Sequence, residues 1–144
     1  MLAPIQKPTK FFSKGFFNEL VERLNNDESL SKTTKGLSSS ISLRCDQKPS
    51  CQITINGGRL SEREGLNEED AEFRFSAPYT EWKRIAKGKV KLPGEVISGR
   101  VRFRGSMPKM LLYLNKVIGL EKKLMRVINE MNIDFEESLN PTGI

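Results

Sequence analysis

The hydrophobic positions change period several times along this chain, and each change marks an element. Phe12, Phe16, Phe17, Leu20, Val21 and Leu24 recur at three- and four-residue spacing around Ser13, whose hydroxyl suits a helix start, so an amphipathic helix is predicted there. Asn25-Asn26-Asp27 ends it, and a short second helix reaches Lys35 with Gly36 as its stop. Ile41, Leu43 and Cys45 then alternate with Ser40, Ser42 and Arg44, and Ile53 and Ile55 with Gln52, Thr54 and Asn56. That period of two predicts an antiparallel hairpin with one wet face. After Gly57-Gly58, Arg59 to Asp70 reads as a polar loop, and Ala71, Phe73 and Phe75 alternate with Glu72 and Arg74 as a third strand.

Pro78 suits the first turn of a helix with Tyr79, Trp82, Ile85 and Ala86 on one face, stopped at Gly88. Trp82, the one tryptophan, reads first as a core anchor docking this helix on the sheet. Leu92 to Ile97 predicts a helical turn. Ser98-Gly99 then leads into Arg100-Val101-Arg102-Phe103-Arg104, a strand with Val101 and Phe103 inward and three arginines outward. Beyond Gly105, Met107, Met110, Leu111, Leu114, Val117, Ile118, Leu120 and Leu124 return to helical spacing, giving a helix from Ser106 to about Asn115 and another from Lys116 to about Met131. Leu112 and Tyr113 add apolar surface outside the stripe. This run is more apolar than one sheet face needs, which points to an apolar ligand.

Length and composition hold the chain to one core. At 144 residues and 37% hydrophobic content, a single domain over 11–131 is expected, with an N-terminal arm over 1–10 and an acidic tail over 132–144. No apolar run approaches the roughly 20 residues of a membrane span, and the first ten residues lack a signal-peptide core. A cytoplasmic protein is the expectation.

The chain has no histidine, which removes Ser-His-Asp and Cys-His nucleophiles and imidazole metal ligands. No Asp/Glu pair sits inside an apolar pattern that would shift its pKa, and Glu68, Glu69 and Asp70 read as solvated surface. No enzyme, cofactor or metal site is expected. Cys45 and Cys51 would face each other in a symmetric hairpin, within disulfide reach, although two free inward thiols are the expected state in a reducing cytoplasm.

Charge is more specific. The net charge of +6 divides unevenly: residues 1–78 carry 11 basic and 11 acidic groups, 79–126 carry 13 and 3, and 127–144 carry none and 4. The excess over 79–126 suggests an anionic partner, such as a phosphorylated ligand, an anionic membrane surface or nucleic acid, or else lysine-rich solvated helix faces.

The order of parts resembles the sterol carrier protein family of small lipid-transfer domains, over roughly Phe16 to Met131. The most specific piece is Tyr79-Thr80-Glu81-Trp82-Lys83-Arg84-Ile85-Ala86-Lys87-Gly88-Lys89 leading to Ile97-Ser98-Gly99-Arg100-Val101-Arg102-Phe103-Arg104-Gly105-Ser106-Met107. It is similar to the family pattern of a helix, a glycine-lysine stop, a short helix ending in a small residue and glycine, and an alternating basic strand closed by glycine. Asn25 to Gly36 also resembles the family's acidic-to-glycine connector.

The resemblance implies an α+β fold: a five-stranded, mainly antiparallel sheet with helices on one face and a hydrophobic tunnel between them. The positions matching the family's diffuse apolar contacts are Phe73, Phe75, Trp82, Ile85, Val101, Phe103, Met110, Leu111, Leu114 and Ile118. The family contributes no catalytic residues. The chain ends Pro141-Thr142-Gly143-Ile144 without the family's peroxisomal tripeptide, which argues against that location.

The expected function is noncatalytic binding or transfer of a lipid: a fatty acyl chain, acyl-coenzyme A, phospholipid or sterol. Lys87, Lys89, Lys91 and Lys109 would hold an anionic head, and an anionic membrane surface is a further expected partner. Two alternatives stand beside it. One is polyanion or nucleic-acid binding by Arg44, Arg74, Arg100, Arg102 and Arg104 on the wet face, which has no outward aromatic on which bases could stack. The other is a homo-oligomerising interaction domain that uses the surplus apolar helix.

Overall fold

The computed structural model describes residues 7–46, 48–63 and 71–136. The chain runs β1 (Thr9–Lys10), α1 (Lys14–Asn25), α2 (Leu30–Thr33), β2 (Ser39–Cys45), β3 (Lys48–Asn56), β4 (Arg59–Arg63), β5 (Phe73–Ala77), α3 (Tyr79–Ala86), α4 (Leu92–Ile97), β6 (Arg102–Arg104), α5 (Met107–Leu112), α6 (Leu114–Glu130) and β7 (Ile133–Asp134). Five strands form one sheet in the order β4-β3-β2-β5-β6, with β2 and β5 parallel and the other neighbouring pairs antiparallel. The fold is α+β, as expected, with a mixed sheet.

Register carries the apolar alternation straight across the sheet. Ile41 pairs with Ile53 and Phe73, and Leu43 pairs with Cys51 and Phe75. Phe75 in turn pairs with Phe103, and Ile55 with Leu60. Because side chains alternate between faces, this register puts all of them on the face covered by the helices. Phe103 stacks on Phe73 at 6.0 Å between centroids and tilts against Phe75 at 5.2 Å.

The helices begin where the sequence directs. Ser13 caps α1 by accepting the Phe16 N–H, and Ser106 caps α5 by accepting the Lys109 N–H. Just before α1, Phe12 takes a positive φ of 63° that an L residue rarely adopts. The turn sends its ring into the core against Phe17 and Trp82, burial that offsets a local cost of about 1–2 kcal/mol. Trp82 is the anchor expected of it: its indole N–H donates to the Arg44 carbonyl at 2.9 Å and fixes α3 on β2.

Several expectations need correcting. Residues 59–63, read as loop, form edge strand β4, because Asn25 clamps it: the Asn25 amide donates to the Leu60 carbonyl and accepts the Leu60 N–H, each at 2.8 Å. Those bonds satisfy an edge that local sequence made look polar. The last basic strand is shorter than its alternation, since residues 98–101 form the turn after α4, with the Val101 N–H on the Glu95 carbonyl at 3.0 Å. The outer face is not uniformly wet: Ser42, in register with Gln52 and Arg74, is 2% exposed, and Gln52 is buried as well. A small serine between two longer side chains is screened by them.

The two cysteines are not direct partners. The register shifts between Leu43 and Cys45, so Cys51 faces Leu43 while Cys45 faces Lys48. Both cysteines are buried, and no disulfide joins them. Thr9–Lys10 pairs in parallel with Ile133–Asp134, which ties the end of the N-terminal arm to the start of the acidic tail. Residues 1–6, the Glu68-Glu69-Asp70 cluster and residues 137–144 lie outside the described residues.

Candidate functional site

A cavity of about 180 Å³ lies between the inner face of the sheet and the helices. The sheet contributes Ile41, Leu43, Ile53, Ile55, Leu60, Phe73 and Phe75, α1 contributes Phe16, Phe17, Leu20 and Leu24, and α3 contributes Trp82, Ile85 and Ala86. Met110 from α5 and Val117, Leu120, Leu124, Met125 and Ile128 from α6 close the other side. Ser39 and Glu121 are the lining residues that are not apolar. Its volume is comparable with that of an engineered dry cavity of about 150 Å³ that accepts benzene.

Of the positions singled out in the sequence, Phe73, Phe75, Trp82, Ile85 and Met110 line this cavity. Val101, 1% exposed, is packed beside α4 away from the lining, and Phe103 supports it from behind through its ring contacts with Phe73 and Phe75. Leu114 stands at the start of α6, outside the lining. Leu111 and Ile118 are 60% and 38% exposed and face outward with Met107 and Leu112.

The four lysines do not form one cluster. Lys109 donates to Glu72 at 2.9 Å, a bond that holds its ammonium above the usual lysine pKa. Lys87 is exposed and lies over the Phe135 ring, 5.0 Å from its centroid, where desolvation, then Lys83 and Lys89, lowers its pKa. Lys89 and Lys91 are exposed on the α3–α4 connector, next to the cavity-lining Leu92.

Sequence reasoning missed three sets of charged groups turned into the interior. Glu81 and Glu95, on α3 and α4, are both 6% exposed and share Arg84, whose guanidinium lies 3.0 Å from Glu81 and 3.7 Å from Glu95. Desolvation, then Glu95, pushes the Glu81 carboxyl above its ordinary range, while Arg84 at 3.0 Å pulls it down. The two lie on separate helices, so no local pattern announced the pair; the expectation that no carboxylate pair sits among apolar groups is corrected here. Lys123, also buried, reaches Asp27 at 3.3 Å and Ser29, joining α6 to the α1–α2 connector.

Glu121 is the third case, and here a signal was available. It falls within the cavity-facing stripe of α6, between Val117 and Leu120 on one side and Leu124 and Met125 on the other.

The family model described as the SCP-2 sterol transfer family matches residues 17–115, more than half of the chain. The chain belongs to that family. SCP-2 membership supports lipid binding or transfer in general. Against curated proteins the sequence has no match. Among solved structures, a conserved hypothetical protein from Thermus thermophilus, described as possibly a sterol carrier protein, shares 16% identity over 85% of this chain and 92% of its own, with a TM-score of 0.68. A sterol carrier protein 2 shares 15% over 85% and 99%, with a TM-score of 0.67. At such identities the likeness shows the SCP-2 fold alone. The fold also occurs inside a larger enzyme: a sec-alkylsulfatase from Pseudomonas sp. matches 83% of this chain with 16% of its own length, at 19% identity and a TM-score of 0.50. SCP-2 domains are generally noncatalytic lipid-binding folds, and among the described residues no helix is long and apolar enough to cross a membrane.

Proposed function

We propose that this protein is a noncatalytic carrier that holds the apolar part of a lipid between its sheet and helices. The observation that carries the reading is the apolar cavity bounded by α1, α3, α6 and the inner sheet face. Each methylene transferred from water into such a space contributes about 0.8 kcal/mol, so a short stretch of chain supplies useful affinity without a network of polar contacts. Phe73, Phe75, Trp82, Ile85 and Met110 are the residues proposed to touch that chain. Val101 and Phe103 would act behind them.

A lipid longer than the cavity must extend past α5 or displace it. Exposed Met107, Leu111 and Leu112 on that short helix, with Ile118 beyond it, offer apolar surface for the continuation. Lys89 and Lys91 are the lysines best placed to meet an anionic group at the rim, because they lead into Leu92 and stand exposed.

Native mass spectrometry of the purified protein, followed by organic extraction, tests the reading. A dissociable apolar mass is the expected result. A clean unliganded mass that does not shift with added fatty acid, acyl-coenzyme A or sterol would overturn it. Salt then tests the lysines: acyl-coenzyme A should bind more weakly as salt rises.

A further inference from the structure

We propose that Glu121 is the polar anchor of the cavity, selecting amphiphiles that bring a hydroxyl group to its open carboxyl oxygen. The inference rests on the lipid-carrier reading and names the head chemistry that reading leaves open.

The placement is unusual for a carboxylate. On α6, Val117, Leu120, Leu124, Met125 and Ile128 form the stripe that faces the cavity, and Glu121 stands in its middle where the pattern calls for an apolar residue. A glutamate on the solvent side of a helix would need no explanation; one lining an apolar cavity does. Burial holds its carboxyl above the ordinary glutamate range, and against that the Leu92 backbone at the start of α4 and then Lys91 favour the ionised form. These interactions orient the group without exhausting it. Oε2 is shielded from solvent and has no hydrogen-bond partner among the described residues.

An unpartnered, buried carboxyl oxygen is costly, and a ligand that donates to it recovers part of that cost. The complementary group is a neutral donor, since an anionic head would meet like charge in a space of low polarity. A hydroxyl on an otherwise apolar chain or ring meets both demands: the O–H donates to Oε2 and the hydrocarbon fills the space walled by Phe75, Trp82 and Leu124. Loss of a hydrogen bond from a site built to receive a hydroxyl discriminates strongly, because the site's own polar group is then left bare.

Competition against a fluorescent fatty-chain probe, using decanol, decyl methyl ether and decanoate at pH 8, tests this. The ether differs from the alcohol in lacking the donor, and decanoate replaces the donor with charge. The wild-type protein should prefer decanol to the ether by about tenfold or more, and to decanoate as well. Glu121→Leu should bring the alcohol-to-ether ratio to near one while the chain still binds. Glu121→Gln, which keeps an acceptor and loses the charge, should retain a preference for the alcohol and tolerate decanoate better. Thermal melts establish that both variants fold, and if Leu fails to fold, the Gln result alone decides. An alcohol-to-ether ratio that is the same in wild type and Glu121→Leu overturns the anchor while leaving the carrier reading intact, as does a Gln variant with unaltered response to decanoate. Failure of all three compounds and the probe to bind wild type overturns the carrier reading and the anchor together.

Discussion

Ala86 offers a test in which stability and binding should move in opposite directions. Its methyl group is 5% exposed and lines the cavity from the last turn of α3. Ala86→Leu adds three carbons to that wall, and leucine is nearly as good a helix former as alanine, so the backbone is little affected. If the space is open, each added carbon gains about 0.8 kcal/mol by leaving water in the unfolded chain for an apolar pocket, or about 2 kcal/mol together. For a domain of this size that corresponds to a rise of about 8 °C in Tm. The same three carbons occupy part of the 180 Å³ that a ligand would use, so affinity for an apolar chain should fall at least tenfold. The assay is a thermal melt of delipidated protein beside a probe titration. A close-packed core would respond differently, because overpacking costs about 1–3 kcal/mol and would lower Tm. A lower Tm with unaltered chain binding would refute the assignment of this space as the ligand site.

Other consequences concern the scaffold. Gly105 has φ of 145°, and a Cβ there would stand 2.7 Å from the Glu72 carbonyl oxygen and 3.1 Å from the Phe73 ring, so Gly105→Ala should cost about 2–3 kcal/mol, read as a lower denaturant midpoint; an unchanged midpoint would contradict the close approach. Glu81, whose carboxyl burial holds above its ordinary range, binds protons more tightly folded than unfolded; its contribution is therefore most favourable at low pH and is lost as pH rises through its folded pKa. Glu81→Gln should raise stability at neutral pH and flatten its fall as pH rises above the ordinary glutamate range, and a variant less stable at neutral pH with the same pH dependence would refute that cause. Burial first and Glu62 second push the Cys51 thiol up to about 12, and burial first with Glu136, Asp134 and Cys45 pushes the Tyr79 phenol up to about 12. The unfolded chain ionises both groups earlier, so stability should fall as pH climbs from about 9 towards 12, and Cys51 should resist a thiol reagent at pH 8 until the protein unfolds; prompt native labelling would contradict its burial.

Much of the architecture was present in local pattern. The stripe from Phe12 to Leu24, the alternation through Ile41–Cys45 and Phe73–Ala77, and the caps at Ser13 and Ser106 each follow from side-chain periodicity and backbone satisfaction within a few residues. The segment from Tyr79 to Met107 carried enough of this punctuation to resemble a sterol carrier protein, and the family match over 17–115 agrees. The identity of the inward strand residues was legible for the same reason, since parity alone assigns Phe73 and Phe75 to one face.

What only the tertiary structure decided depends on residues far apart in the chain. Strand β4 exists because Asn25, thirty-five residues earlier, supplies the hydrogen bonds its edge needs. Glu81 meets Glu95, and Lys123 meets Asp27, through packing of separate helices, and no composition window contains either pair. The rotation of α6 was decided in the same way: the sequence stripe took Ile118 inward, and packing against α1 and α2 turned Glu121 into the cavity and Ile118 out to solvent. Hydrophobicity fixes that a helix has an inner face, whereas the volumes of its neighbours fix which residues at the margin belong to it.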